Sequence, residues 1–463
     1  MEIAIIGGGM AGAACAMHLL RDHPGLRAGL TIIEPRAVLG AGLAYSTPAP
    51  EHRINVAAAR MSVLPEDPLH FDTWLRARGL PAADPAAAMP DGRLYPGRAL
   101  FGHYMAELLR AQVEAHPAVR FRHVRARAES LAPAGAGWEI RLEGGDTLPA
   151  DAVVLAVSHS APDLPAMFAG VPGVVADPWD MEALGAIAPQ ARVLIVGTGL
   201  TACDVVASLM ARGHHGGITA VSRHGLLPRP RTELPVEAEG DFTTAPETTA
   251  RALLRRVRRA VAVAAACGRP WENIIDALRQ QAGAAWGTLD WVEKRRLLRH
   301  LRAYWDVHRF QCAPQIDATV SAAQASGALR VIAGFLRSVS EAEGGIDVRL
   351  RRRGAAPGEE MALQVDAVVN CTGPGHRSVT ASHPVLRGLA AAGGLMADPA
   401  ALGIWVDGTG RVLRHTGDAW PNLFVAGPLA RGTYGELMGL PQVNLQPRAI
   451  AASVVGLSVG SNS

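Results

Sequence analysis

Two short apolar runs, each closing on a glycine turn that opens into a helix-forming segment, constrain this chain more than any other feature. The first run is Glu2-Ile3-Ala4-Ile5-Ile6, followed by Gly7-Gly8-Gly9-Met10-Ala11-Gly12. Residues 13–20 then read as a helix rich in small side chains, and Leu30-Thr31-Ile32-Ile33 is a second apolar run ending at Glu34. The unit returns about one domain length later. Residues 191–196 form the strand, Gly197-Thr198-Gly199-Leu200-Thr201-Ala202 the turn, 203–211 the helix and 218–221 the next strand. A β-α-β pattern with loops this short predicts parallel sheets, and 463 residues are enough for two or three domains.

The glycine spacing predicts a ligand. In a G-x-G-x-x-G turn, Gly7 permits the tight exit from the strand, Gly9 carries no Cβ to keep a pyrophosphate away, and Gly12 lets the helix lie close. The helix start at Met10 and Ala11 offers free N–H groups and roughly +0.5 charge to phosphates. Glu34 stands where a carboxylate accepts hydrogen bonds from ribose hydroxyls. Strand before, helix after and acid at the end of the second strand together read as a dinucleotide site. The second turn carries Gly197, Gly199 and Ala202, an accepted variant, with Leu200 and Thr201 opening its helix. There Ser222-Arg223-His224 replaces the acid. An arginine pairs with the 2′-phosphate that a carboxylate would repel, so NADPH is expected over NADH.

Two further strands resemble each other. Residues 151–157 lead to Ser158-His159, and residues 366–371 lead to Thr372-Gly373-Pro374-Gly375. Each sits where the chain could pass between domains. Residues 248–326 lack strand alternation and are dense in Arg, Leu, Ala and Trp, which predicts several inserted helices. Residues 422–427 read as a last strand and 443–454 as a helix. The expected fold class is α/β with two Rossmann-like dinucleotide-binding domains. The first domain would be discontinuous, 1–160 and 373–463, with the second, 161–372, inserted in it and carrying the helical insertion.

Composition removes several function classes. A net charge of +3 gives no case for nucleic-acid binding. The five cysteines are scattered without a Cys-x-x-Cys, which argues against a disulfide framework, a zinc site or a redox dithiol. Lys294 is the only lysine, so nothing favours Schiff-base chemistry. No apolar stretch reaches the ~20 residues of a membrane span. Met1-Glu2 leads straight into the first strand without a basic leader, so a cytoplasmic protein is expected. His300 and His308, among Arg299, Arg302 and Arg309, read either as a basic helical face that could hold an anionic substrate or as a solvated surface. His308 and Arg309 are the substrate-side candidates. Arg229 and Arg231, flanking Pro230, could reach nucleotide or substrate, or simply belong to a loop. The Arg255–Arg259 run reads as an exposed helix face.

Together with the intervening crossover strand, the two turns resemble the two-dinucleotide-binding flavoprotein fold. The segments Gly40-Ala41-Gly42-Leu43-Ala44-Tyr45-Ser46, Arg53-Ile54-Asn55-Val56 and Gly427-Pro428-Leu429-Ala430-Arg431-Gly432, with Glu436, resemble the bacterial FAD/NAD(P)-binding protein family. That family is distantly similar to flavin-containing and N-hydroxylating monooxygenases. Residues 298–309 resemble its helical region. The resemblance implies FAD at the first turn and NAD(P)H at the second. It also implies that Gly42, Ala44, Tyr45 and Asn55 lie along the flavin or its ribityl chain, and that the segment near Ala128 passes the adenine. Gly427 and the turn Leu440-Pro441-Gln442 would lie beside the flavin. Pro428 stands where many relatives carry an acid, and the Phe-x-Gly-x-x-x-His signature of flavin-containing monooxygenases is absent. The leading expectation is a monooxygenase oxidising N or S of a small molecule through a C4a-flavin peroxide. A reductase or dehydrogenase without oxygen insertion, and a non-catalytic FAD-bound sensor or assembly protein, remain as alternatives. No nucleic-acid or membrane partner is expected, and oligomeric state is not legible.

Overall fold

A computed structural model describes residues 1–157, 161–232, 236–375 and 379–460. Ser158-His159, expected to end the first crossover, lies outside the described residues.

The described residues form three sheets. In the first, the strand order is Arg411–Leu413, Ala419–Val425, Ala152–Leu155, Glu2–Ile6, Gly29–Ile33, Arg120–Val124. All neighbours run parallel except the edge pair Arg411–Leu413 and Ala419–Val425. Ala152–Leu155 is buried throughout, as a continuous apolar run in a covered parallel sheet should be. The helix Met10–Arg21 packs against Arg98–Ala115 and the terminal helix Gln442–Gly460. One polar contact crosses that core: His18 Nε2 lies 3.0 Å from Asn444 Oδ1, and Asn444 donates to the Val63 carbonyl at 2.8 Å.

The second sheet runs Met361–Val365, Gly345–Arg352, Leu329–Ala342, Ile218–Ser222, Val193–Val196, Ala367–Asn370, Val174–Val175. Its last five strands are parallel, and the first two form an antiparallel extension. The third sheet is the meander Ala128–Ala134, Gly137–Leu142, Thr147–Ala150. Beyond the two look-alike strands the chain passages run side by side: Pro162 bridges Pro374, and Thr372 Oγ1 donates to the Asp163 carbonyl at 3.1 Å.

The repeated motif repeats atom for atom. Gly7 N donates to the Ile33 carbonyl at 2.9 Å, and Gly197 N to the Val221 carbonyl at 2.8 Å. Ala156 N donates to Ile6 and Cys371 N to Val196, both at 2.8 Å. Gly7 and Gly197 have φ of +104° and +117°. A Cβ on Gly7 would enter the Ala156 carbonyl, and one on Gly197 the Cys371 carbonyl. The turns differ at the third position. A Cβ on Gly12 would enter the Gly7 carbonyl, whereas Ala202 keeps its methyl, 2% exposed.

Residues 248–326 are helical as the composition predicts: Ala250–Ala266, Glu272–Gln280, Ala282–Gly287, Trp291–His300, Arg302–Arg309 and Pro314–Ala325. Thr249 and Asp290 cap two of these, accepting from Ala252 N and Glu293 N. Of the two readings of 298–309, basic substrate face or solvated surface, neither holds across the whole stretch. The helix breaks at Leu301, leaving Arg299 and His300 exposed while Arg309 is buried. Arg255, Arg258 and Arg259 are exposed on their helix. No described helix is long and apolar enough to cross a membrane.

Gly197→Ala forces both a positive φ and a carbonyl overlap. It is expected to cost about 1–3 kcal/mol, read as a lower denaturation midpoint. Burial also holds the His18, His52 and His383 imidazoles below their ordinary pKa. The unfolded chain then binds more protons than the folded one just below the ordinary value of 6.5. Stability is therefore full above that value and declines as pH drops through it toward the folded-state pKa values. Urea midpoints compared at about pH 7.5 and about pH 5.5 should fall with acid; a flat profile refutes this.

Candidate cofactor and active site

At the first turn, Gly9 is extended (φ −71°, ψ −167°) and the helix begins at Met10 and Ala11. Gly9 faces Gly42 so closely that a Cβ on it would lie 3.3 Å from Gly42 Cα; Gly42 itself has φ +54°. Glu34 is 5% exposed. Its Oε2 accepts from Gly8 N at 2.9 Å, and its Oε1 from Arg36 N at 3.1 Å and Arg36 Nη1 at 3.2 Å. That fixes the carboxylate while leaving lone pairs for a ribose. Glu34 N donates to the Val124 carbonyl at 3.0 Å, so the segment leading to buried Ala128 runs past it. Gly427 has φ +89°, and a Cβ there would meet the Ala11 methyl at 2.7 Å. Its N–H donates to Gln446 Oε1 at 2.9 Å.

The remaining positions implied for the flavin are spread along one side of this turn. Ala44 is exposed, and the Tyr45 ring stacks at 4.6 Å on Phe101, where burial raises its phenol pKa. Asn55 Nδ2 donates to the Gln311 carbonyl at 3.3 Å, and the Asn55 carbonyl accepts from Arg231 Nε at 2.9 Å. Gln442 opens the terminal helix, and its Oε1 is buried with no hydrogen-bond partner among the described residues. An unmet buried acceptor costs about 1–3 kcal/mol. A glycine-lined turn at a helix start and an orphaned acceptor at Gln442 both fit a bound FAD.

At the second turn, Gly199 has nearly the backbone of Gly9 (φ −83°, ψ −167°), and Leu200 and Thr201 start the helix. A Cβ on Gly199 would meet nothing within 4 Å. Protein packing therefore does not require this glycine, whereas close approach of a phosphate does. Ser222 works inside the turn. Its Oγ accepts from Gly225 N at 3.0 Å and lies 2.8 Å from Thr198 Oγ1, which donates to the Leu226 carbonyl at 2.6 Å. Arg223 is exposed and opens into a concavity of about 440 Å³ shared with His224, Arg351, Arg352 and Arg353. Burial, then Arg353 and Arg223, push the His224 pKa down. Sequence reading missed the three arginines because strand Gly345–Arg352 brings them from a distant stretch. The run Arg351-Arg352-Arg353 was the available signal.

Polar contacts tie the helix that follows the second turn to residues 47–52 and to Arg98. Arg98 pairs with Asp204, on the second turn's helix, at 2.8 Å. His52 bridges Thr47 Oγ1 and Ser208 Oγ, each at 2.9 Å, and Ser208 donates to Glu51 at 2.7 Å.

A larger cavity, about 1170 Å³, lies between the inserted helices, residues 229–232 and the segment containing Arg431, Glu436 and Met438. His308 lines it, donating Nδ1–H to the Tyr304 carbonyl at 2.7 Å with its ring edge-on to Trp271. Arg309, the other substrate-side candidate, is 6% exposed and its charge is already met. Its Nε and Nη2 donate to Glu436 Oε1 at 3.0 and 2.7 Å.

Two parallel sheets, each ending in such a turn and joined by paired crossovers, define the two-dinucleotide-binding flavoprotein fold. Residues 4–160 match the family model described as FAD-NAD(P)-binding. A search of curated protein sequences returns no match. Among solved structures, the chain is similar to the reduced form of ornithine hydroxylase from Pseudomonas aeruginosa. The identity is 14%, 98% of each chain is covered and the TM-score is 0.65. It is also similar to L-lysine 6-monooxygenase from Pseudomonas syringae, with 18% identity, 98% of each chain and TM-score 0.61. The ornithine N-hydroxylase of Kutzneria sp. 744, solved with reduced FAD, NADP+ and L-ornithine, matches at 15% identity over 100% of this chain and 99% of that one, TM-score 0.62.

If the basic concavity reads the 2′-phosphate, Arg223→Ala and Arg353→Ala should each weaken NADPH binding by roughly 10- to 100-fold. NADH binding should stay unchanged in the same titrations, and equal losses for both nucleotides would refute the assignment.

Proposed function

We propose that the chain is an FAD-dependent, NADPH-using monooxygenase that oxidises nitrogen or sulfur of a small-molecule substrate. In this reading residues 1–160 and 373–463 carry the FAD, and 161–372 carry the nicotinamide cofactor. One observation carries it: the 1170 Å³ cavity is bounded by residues tied to both cofactor sides. Arg231, on its wall, follows the second turn in sequence and holds the carbonyl of Asn55 in the first domain. Met438, also on its wall, precedes Gln442 by four residues. The likeness in fold to ornithine and lysine hydroxylases supports the same reading.

Bound FAD would supply hydride acceptance from NADPH and activation of O2. Overall, substrate, O2, NADPH and a proton would give oxygenated substrate, NADP+ and water. The protein's own tasks are binding, orientation and exclusion of water. Gly9 and Gly199 let the two diphosphates approach the helix N-termini. Glu34 orients one ribose, and the Arg223 cluster balances the phosphate on the other. Gln442 Oε1, buried and unpaired among the described residues, would be free to accept a hydrogen bond from bound FAD. The apolar walls of the cavity keep bulk water from the reacting centre.

Anaerobic NADPH should bleach the flavin of the holoprotein, and NADH should do so more slowly. With substrate present, one atom of isotopically labelled O2 should enter the product. Bleaching followed by quantitative hydrogen peroxide release across all N- and S-containing candidates would favour a reductase. No bleaching at all would favour a non-catalytic role.

A further inference from the structure

The large cavity is unlike a receptor for a free diamine or amino acid. Its volume of about 1170 Å³ exceeds the ~300–1,000 Å³ usual for drug-sized ligands. Its wall is chiefly apolar. The inserted helices build their own hydrophobic cluster around Phe242, Leu253, Ile274 and Leu278. The half-buried side chains Val257, Val261, Leu297 and Trp305 pack on that cluster and also line the cavity. Along Ala250–Ala266, Leu253, Val257 and Val261 form one stripe toward the cavity at helical spacing.

The charges in the lining are unbalanced. It contains five arginines, 229, 231, 258, 302 and 431, against the three carboxylates Glu272, Asp306 and Glu436. Two of those carboxylates are committed, Glu436 to Arg309 and Asp306 to Arg302 at 3.4 Å. Arg431 is 8% exposed and has no carboxylate within 4.0 Å among the described residues. Its Nη1 lies 3.1 Å from the Met438 sulfur, a weak acceptor. A buried guanidinium without an ion-pair partner is costly, and a ligand carboxylate would relieve it through charge-assisted bonds.

Resting on the monooxygenase reading above, we propose that this cavity takes an amphipathic anionic substrate: an extended apolar body against the Val257–Leu297–Trp305 wall, with one carboxylate paired to Arg431. Desolvation, then Arg302, push the Arg431 pKa down to about 10 against the opposing pull of Asp306, Glu436 and Asp398, so the guanidinium stays charged at neutral pH and a directly bonded anion would offset its burial. An ammonium group entering the same space meets excess positive charge, which discriminates against cationic diamines.

The test is a calorimetric titration of the FAD-loaded full chain with octanoate, decanoate, dodecanoate, dodecylamine and L-ornithine. Affinity should rise about two- to fourfold per methylene along the carboxylates. Dodecanoate should bind at least tenfold tighter than dodecylamine or L-ornithine. Arg431→Gln should weaken dodecanoate about tenfold or more while leaving FAD content and dodecanol binding unchanged. Tighter binding of L-ornithine or dodecylamine, no chain-length dependence, or no dodecanoate binding overturns the proposal, even if Arg431→Gln does not fold. Flavin bleaching by NADPH in the same preparation reports separately on the oxidoreductase reading. Dodecanoate binding without bleaching would remove that reading and keep the ligand class, and bleaching without dodecanoate binding would do the reverse.

Discussion

The carbonyl oxygens of Ala156 and Cys371 occupy the space that a Cβ on Gly7 and on Gly197 would need. That approach is possible only for glycine at positive φ, and it sets everything downstream. It brings each crossover strand hard against the strand that precedes the glycine turn, so both chain passages leave their sheets at the carboxyl ends of parallel strands. Ligands of open α/β sheets bind at those ends. The two crossings then lie together, joined by the Pro162–Pro374 bridge and the Thr372–Asp163 bond. One steric constraint, used twice, therefore places two cofactor cradles and the route between them.

A second layer keeps the cradles at a fixed mutual setting. The helix Leu200–Ala211 starts at the second turn, yet its Asp204 and Ser208 bond to Arg98 and His52 of the first domain. These groups are buried, so each depends on the others: an unpaired Asp204 or His52 would carry its full desolvation cost. Trp179 closes the cluster, edge-on to His52 with the Arg98 guanidinium 5.8 Å from its ring. The polar network thus specifies one arrangement of the domains where a purely apolar interface would permit sliding.

The parts of this molecule legible in the sequence are those governed by local rules. Gly7, Gly12 and Gly197 declare themselves because a short turn and a close contact demand glycine whatever lies elsewhere. Continuous runs such as Ala152–Leu155 declare a covered parallel strand, and the stretch 248–326, without strand alternation, declares helices. What stayed hidden depends on residues meeting from afar. Arg351, Arg352 and Arg353 reach Arg223 only through the antiparallel extension of the second sheet. Arg309 was readable as a basic residue, but not as the buried partner of Glu436, because that pairing spans the helical insertion and the last segment of the chain. Likewise, the run of basic residues in 298–309 does not announce the break at Leu301, which separates an exposed His300 from a buried Arg309.

That pairing also shows that the inserted helices reach beyond the sheet they interrupt. In sequence they interrupt the second sheet, between strands Ile218–Ser222 and Leu329–Ala342. In space they bond to both sides: Arg229 N donates to the Val307 carbonyl at 2.9 Å and Cys312 N to the Arg229 carbonyl at 3.2 Å, while further ties run to the chain around the first turn. Asp276 pairs with Arg60 at 2.6 Å, Trp286 Nε1 donates to the Gly432 carbonyl at 2.8 Å, and Gln311 supplies a carbonyl to Asn55. The Arg309–Glu436 pair, with both side chains about 95% buried, is the deepest of these ties. A buried pair adds little net stability over an apolar replacement, but losing one partner strands the other at a cost of about 3–5 kcal/mol. Such a pair therefore acts as a positional lock. It holds the helix Arg302–Arg309 against the segment that leads to Gln442. The inserted helices thus interrupt the second sheet in sequence yet are bonded both to it and to the chain around the first turn, which is why the cavity they wall also meets Arg431, Glu436 and Met438.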